Sequence, residues 1–165
     1  MLKNLLYRVF KRLVGVCFNV LNLLLAGNLP PFGSVCVVVE DQGKYLVVER
    51  AEGSLVFPGG FMRWRESPVQ TIQRECEEET GMHLQVKGLI GCSSTVSENF
   101  SRMSTLTVIY QADVVGGELK SSIEGRPSWQ DGAELLHRLQ QQQKGILEHF
   151  LRYREQREQM KRFYL

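Results

Sequence analysis

The first 39 residues contain no acidic side chain, and Glu40 is the first one. Four basic residues precede it and give the amino-terminal segment a charge of +4: Lys3, Arg8, Lys11 and Arg12. The rest of the chain has 16 basic and 18 acidic residues, a charge of −2. This balance argues against a broad polyanion-binding surface, so we expect no nucleic-acid partner. Any attraction to anionic lipid belongs to the amino-terminal segment.

Cysteine is also sparse, with four residues in 165 and no Cys-x-x-Cys pair. Three of the four lie within apolar runs, and Cys76 lies in a helical pattern. An even cysteine count is weak support for disulfides in a chain of this length. We therefore expect reduced, mostly buried thiols and a cytoplasmic location.

The amino-terminal segment lacks an apolar run long enough to cross a bilayer, which needs roughly 20 residues. The stretch from Leu13 to Ala26 is shorter and contains Asn19 and Asn22. No small-x-small cleavage site follows it, although a basic start before an apolar run resembles a signal peptide. Residues 2–26 are expected to form a helix. Three roles remain open: packing on the domain or on a homodimer partner, peripheral membrane contact through residues 1–28, or a cleaved or spanning segment.

A break at Asn28-Leu29-Pro30-Pro31 separates this arm, residues 1–29, from a β-rich domain, residues 30–165. Within the domain, Asp41-Gln42-Gly43 predicts the turn of a hairpin. Strands are predicted over 34–40, 44–50, 55–57, 84–95 and 104–115, and helices over 67–80, 131–143 and 146–163. Mixed strands with few helices predict an α/β or α+β fold in which helices cover a mixed β-sheet.

The helix over residues 67–80 has explicit start and stop signals. Ser67 is a good N-cap, Pro68 suits the first helical position, and Gly81 suits the left-handed residue that ends a helix. The apolar residues at helical spacing, which should pack on the sheet, are Val69, Ile72 and Cys76.

Four glutamates crowd the last turn of this helix: Glu75, Glu77, Glu78 and Glu79. At 100° per residue Glu77 points away, while the other three share one arc. Like charges at i,i+4 repel by about 0.2–0.5 kcal/mol, and carboxylates at a helix C-terminus lose about 0.3–1 kcal/mol more. A bound divalent cation reverses both penalties, and Mg²⁺ prefers carboxylate oxygens. The alternative is a solvated acidic face in which Arg74 pairs with Glu78.

The residues around this helix resemble the Nudix hydrolase signature at every fixed position. Gly60 is followed at the family's spacing by Glu66, Arg74-Glu75, Glu78-Glu79 and Gly81, with Cys76 and Met82 in the two aliphatic positions. The preceding Phe57-Pro58-Gly59-Gly60 also resembles the family's entry to this motif. The resemblance implies an α/β/α sandwich with a mixed β-sheet, outside which the amino-terminal helical arm lies.

The resemblance also implies a site for Mg²⁺ or Mn²⁺ on this helix. The implied metal ligands are Glu75, Glu78, Glu79 and the backbone carbonyl of Gly60. The residues implied to hold the loop and helix in shape are Glu66, Arg74 and Gly81. The implied reaction is hydrolysis of a diphosphate linkage in a nucleoside diphosphate-linked compound, and a homodimer is an expectation from the apolar arm and from the family.

A carboxylate must take the proton of the attacking water. In the family that the motif resembles, this carboxylate comes either from the motif or from a distant loop. Glu78 is the first candidate, Glu75 lies in the same motif, and Glu98 and Glu124 are candidates from loops. Candidate substrate contacts are Arg50, Phe57 and Phe100, with Tyr110 and Trp129 as further aromatic rings. Aromatic residues on strands belong more often to the core.

Marks that distinguish subfamilies are missing on both sides of the motif. The family's ADP-ribose enzymes often have a proline near the position of Ser97, and the diadenosine polyphosphate type has a tyrosine where only Phe100 occurs. The segments typical of the NADH and coenzyme A types are also absent. A nucleoside di- or triphosphate is the favoured substrate. ADP-ribose or another nucleotide sugar, and a non-catalytic nucleotide-binding module, remain alternatives.

Overall fold

The computed structural model describes residues 2–163. In chain order its elements are α1 (Leu2–Leu24), β1 (Phe32–Val38), β2 (Glu40–Asp41), β3 (Lys44–Glu49), β4 (Leu55–Val56), β5 (Gly59–Phe61), α2 (Pro68–Thr80), β6 (Met82–Thr95), β7 (Thr105–Gly117), β8 (Arg126–Asp131), α3 (Gly132–Arg138) and α4 (Gln141–Phe163). The predicted hairpin is present between β2 and β3, where Gln42 and Gly43 both have positive φ.

The strands form two sheets of four. The first has the order β5-β1-β7-β6, in which β1 and β7 are parallel and the other pairs antiparallel. In the second sheet β3 pairs antiparallel with β2, β4 and β8. The first sheet is therefore mixed, as predicted.

The strand β1 of the first sheet is buried on both sides because helices cover both of its faces. Val35 and Val37 belong to a core cluster that includes Ile72 of α2. Cys36 and Val38 alternate with them and belong to a second cluster, which includes residues of α3 and α4. This arrangement confirms the predicted α/β/α sandwich.

Three predictions about the last 40 residues of the chain were wrong. No strand was predicted over 126–131, a segment that contains Pro127, which cannot donate a backbone hydrogen bond to a sheet. In the structure β8 pairs with β3 alone, and such an edge position tolerates proline. The predicted helix 131–143 ends at Arg138, because Leu139 has extended backbone (φ −64, ψ 138) and bridges to Leu55. A new helix then begins at Gln141 rather than at residue 146.

The cysteines are less buried than predicted. Cys36 and Cys76 are buried, but Cys17 and Cys92 are exposed. Burial raises the pKa of Cys76 to about 11, so this thiol stays protonated at neutral pH.

The amino-terminal helix α1 packs on the domain through a narrow stripe. The amide of Asn19 donates to the carbonyl oxygens of Phe100 and Arg102, at 2.9 and 2.7 Å. The ring of Phe18 lies edge-on to that of Phe32, with 5.6 Å between centroids. Packing on the domain was one of the roles left open for this helix. Within residues 2–163, no helix is both long and apolar enough to cross a membrane. The boundary at residue 29 and the homodimer stay predictions.

Candidate metal and active site

The ends of α2 are fixed by the predicted caps. Ser67 accepts a hydrogen bond from the Gln70 amide at 3.3 Å, and Gln70 Oε1 accepts one from the Ser67 amide at 2.9 Å. Gly81 ends the helix with φ 77, a conformation that favours glycine, and a Cβ there would collide with the carbonyl of Glu118. The buried face is shorter than predicted, because Val69 is exposed and burial starts at Thr71.

Glu79 is the most buried of the four glutamates, with 2% of its surface exposed. Its carboxylate accepts hydrogen bonds from the Gly59 amide at 3.0 Å and from Arg50 at 2.9 Å. Burial raises the pKa of Glu79, as does the nearby charge of Glu124, while Arg50 and the Gly59 amide oppose the shift. Arg50 also donates to the Glu124 carboxylate at 2.7 Å, so it joins the helix to the loop after β7.

Glu75 and Glu78 share one nitrogen of Arg74. Arg74 Nη1 lies 2.6 Å from a carboxylate oxygen of Glu75 and 3.3 Å from one of Glu78, the latter being the predicted i,i+4 pair. Glu75 also packs against Gly60, where a Cβ would lie 2.5 Å from its carboxyl carbon. Glu78 is half exposed and pairs with Arg63 at 3.2 Å. Glu77 Oε2 lies 3.9 Å from His83 Nδ1.

The donor set suits a hard divalent cation. Carboxylate oxygens are the ligands that Mg²⁺ prefers, and those of Glu75 and Glu79 lie against the Gly59–Gly60 backbone. Each of the three predicted carboxylate ligands is paired with an arginine, which balances its charge. Consistent with this pairing, the described part of the chain contains no preassembled group of three or more His, Cys, Asp or Glu side chains for a metal ion. A bound cation would replace arginine as the partner of these carboxylates.

Glu66 and Arg74 hold the motif loop against α2. Arg74 donates to both carboxylate oxygens of Glu66, from Nε at 2.6 Å and from Nη2 at 2.8 Å, which is a strong bidentate arrangement. Glu66 also accepts hydrogen bonds from the Arg63 amide at 3.0 Å and the Thr71 hydroxyl at 2.9 Å. Arg74 further donates to the carbonyl of Phe61 at 3.2 Å. These contacts support the structural role expected for both residues.

We expect Glu66→Gln to lower the stability of the fold at neutral pH. The same substitution should also make that stability less dependent on pH in the acidic range. Hydrogen bonds from Arg74 lower the pKa of Glu66 from 4.5 to about 2. The charged form is thus stabilised by folding, and this contribution is lost as pH falls from about 4.5 towards 2. Thermal unfolding between pH 7 and pH 2 measures both effects, on a scale of about 2–4 °C per kcal/mol for a domain of this size.

Glu155→Gln, an exposed substitution on α4, is the matched control and should follow the wild type throughout. Parallel unfolding curves for Glu66→Gln and the wild type across this pH range would contradict the structural role of Glu66.

The structure separates the two loop carboxylates. Glu124 is linked to Glu79 through Arg50. Glu98 instead lines a different cavity, between α1 and the loop before β7, together with Asn19 and Phe100. Phe100 thus lies beside α1, at a cavity whose lining includes no residue of α2.

Phe57 is corrected from a substrate contact to a core residue. It is only 3% exposed, and its ring packs near that of Tyr45 with 6.5 Å between centroids. Its amide donates to Gln143 at 3.0 Å, which ties β4 to α4. Tyr110 and Trp129 also pack against a core cluster, as strand aromatics usually do.

A cavity of about 520 Å³ opens beside the acidic end of α2. Its lining consists of Arg74, Glu77, Glu78, Lys120, Ser121 and Ser122. The last three come from the loop between β7 and β8, and no motif in the sequence marks them. Arg63, the partner of Glu78, was also missed, although its place between Gly60 and Glu66 was a signal that could have identified it. The lining can offer carboxylates to a cation and an ammonium group to an anion.

A family model described as NUDIX domain matches residues 30–150. A protein of Methanocaldococcus jannaschii named ADP-ribose pyrophosphatase is 31% identical over 102 residues, which cover 59% of this chain and 60% of that protein. A MutT-like protein of Streptomyces ambofaciens is 32% identical over 115 residues, 67% of this chain and 71% of that protein. The chain thus spans less than two thirds of the first relative's length.

Solved structures have the same fold. A NUDIX hydrolase from Nitrosomonas europaea superimposes with a TM-score of 0.66 at 24% identity, covering 73% of this chain and 88% of that chain. A UDP-X diphosphatase superimposes with a TM-score of 0.67 at 22% identity, covering 78% and 65%. At these identities the likeness concerns the fold alone.

Proposed function

The chain belongs to the NUDIX family, and we propose that it hydrolyses a diphosphate linkage in a nucleoside diphosphate-linked compound, with Mg²⁺ or Mn²⁺ as cofactor. The observation that carries this proposal is the cavity that Glu78 and Lys120 line together. Such a cavity places acidic groups for a cation beside a basic group for phosphate oxygens. A solvated acidic face, the alternative explanation of these glutamates, does not account for the burial of Glu79.

We propose Glu75, Glu78, Glu79 and the Gly60 carbonyl as the metal ligands. A cation held there would neutralise phosphate oxygens and lower the pKa of a bound water. Arg74 and Glu66 keep the carboxylates of α2 in register with the motif loop. Lys120 is placed to bind a phosphate oxygen of the substrate, since it lines the same cavity as Glu78.

The proton of the attacking water needs a carboxylate acceptor, and two candidates retain support. Glu78 lines the cavity directly and is half exposed. Glu124 is held by Arg50 beside Glu79, which makes it the supported loop candidate in preference to Glu98. Arg50 acts in this proposal as a support for Glu79 and Glu124 rather than as a direct phosphate contact.

A nucleoside di- or triphosphate, including oxidised forms, is the proposed substrate. The missing proline near Ser97 favours this class over ADP-ribose. ADP-ribose or another nucleotide sugar is the second candidate, favoured by the name of the archaeal relative. The proposed location is cytoplasmic, because a reducing compartment would keep the exposed thiols of Cys17 and Cys92 unoxidised.

The full chain should be incubated with nucleoside di- and triphosphates, an oxidised purine triphosphate, ADP-ribose and a UDP-sugar, with Mg²⁺ or Mn²⁺. We expect metal-dependent cleavage of a diphosphate linkage, abolished by EDTA and identified by the masses of the products. Cleavage of triphosphates supports the first substrate class, and cleavage of ADP-ribose or the UDP-sugar alone supports the second. Binding of nucleotides without cleavage under either metal would overturn the hydrolase proposal in favour of a binding module.

A further inference from the structure

Helix α1 leaves a broad apolar face uncovered. The stripe around Gly15 and Asn19 contacts the loop before β7, where a Cβ on Gly15 would lie 2.5 Å from the Ser101 carbonyl oxygen. Nine large apolar side chains in the described part of the helix are each at least 38% exposed: Leu6, Val9, Phe10, Leu13, Val16, Val20, Leu21, Leu23 and Leu24. Their number and continuity exceed the scattered apolar residues that are normal on a monomer.

The apolar surface continues onto the domain. Phe100 and Leu23 line the same cavity, and Phe100 is 58% exposed. Val96, in the same loop, is 77% exposed. The hydrogen bonds from Asn19 to the Phe100 and Arg102 carbonyls hold this loop against the helix. Helix and loop therefore present one apolar surface with a fixed orientation, not a loose tail.

The charge of the amino-terminal arm indicates which partner binds this apolar surface. The arm carries Lys3, Arg8, Lys11 and Arg12 with no acidic residue. A second copy docked through the same face would bring two arms of +4 together, which is unfavourable. An anionic lipid surface offers both the complementary charge and an apolar layer for the exposed side chains.

We infer that α1 docks the protein peripherally on an anionic membrane surface. The helix lies in the interfacial plane, with Leu6, Leu13 and Val20 on the side that enters the lipid. At 1.5 Å per residue the 23 residues of α1 are about 35 Å long. The stripe around Gly15 and Asn19, which packs on the domain, keeps the domain on the aqueous side of the helix.

Flotation of the full-length protein with vesicles tests this inference. We expect flotation with phosphatidylcholine vesicles that contain phosphatidylserine, little with pure phosphatidylcholine, and weakening when salt rises from 0.1 to 0.5 M. The double substitution Phe10→Glu with Leu13→Glu should lower the partition coefficient at least about tenfold, because it places charge on the apolar face. Val115→Glu on β7, at a position 63% exposed, is the matched control and should float like the wild type.

Circular dichroism and thermal unfolding should show that both variants fold. The inference is overturned if the wild type fails to float with anionic vesicles, floats equally with neutral ones, or floats unchanged after the double substitution. It is also overturned if the wild type does not float but forms a dimer that the double substitution dissociates, since the face would then bind a second copy. None of these outcomes depends on hydrolysis.

Discussion

Glu78→Gln is expected to lower turnover by about 10²–10⁴-fold while the fold survives. Glutamine keeps the size of the side chain but removes the charge proposed to bind the cation and to accept the proton. The structural loss should be small, because Glu78 is half exposed and its ion pairs with Arg63 and Arg74 are both longer than 3 Å. Turnover is measured as the initial rate on the compound that the wild type cleaves in the substrate test described above. Thermal unfolding of the same samples checks that the fold survives.

Glu155→Gln is the control, because Glu155 is an exposed glutamate of α4, outside the cavity that Glu78 lines. Its turnover should stay close to that of the wild type, since α4 contributes no residue to the lining of that cavity. Mn²⁺ binding should weaken in Glu78→Gln and not in the control. Equal phosphate release by Glu78→Gln and the wild type would remove the proposed site.

Glu124→Gln is expected to lower turnover by about 10²-fold or more if its carboxylate accepts the proton of the attacking water. The expectation rests on the position of Glu124, which Arg50 holds next to the buried Glu79. Glu98→Gln is the control, because Glu98 lines the cavity beside α1 and should leave turnover unchanged. A fall in turnover for Glu98→Gln with none for Glu124→Gln would reverse the choice between the loops.

The two substitutions also separate two roles. Glu78 is a proposed metal ligand, so its loss should weaken Mn²⁺ affinity as well as turnover. Glu124 is proposed to act on the water alone, so its loss should reduce turnover while Mn²⁺ affinity stays near the wild-type value. If Glu124→Gln lowers both turnover and Mn²⁺ affinity, Glu124 is a metal ligand instead.

Much of the fold could be predicted from local signals. The caps of α2, the hairpin turn and most strand positions follow from residues that are neighbours in sequence, and the structure confirms them. The errors occur where distant contacts override a local preference. Pro127 occupies a strand because β8 is an edge, and Leu139 interrupts a helical pattern because it bridges to Leu55.

The sequence alone determined the acidic helix, its motif and the charge of the arm, because these depend on residue type and on spacing within a few turns of chain. Tertiary structure decided which distant groups share a surface. It brought Arg50 between Glu79 and Glu124, put Glu98 beside α1, and buried Phe57 in the core. The physical reason is that sheet pairing and side-chain packing set the distances between segments far apart in the chain, and no local pattern encodes those distances.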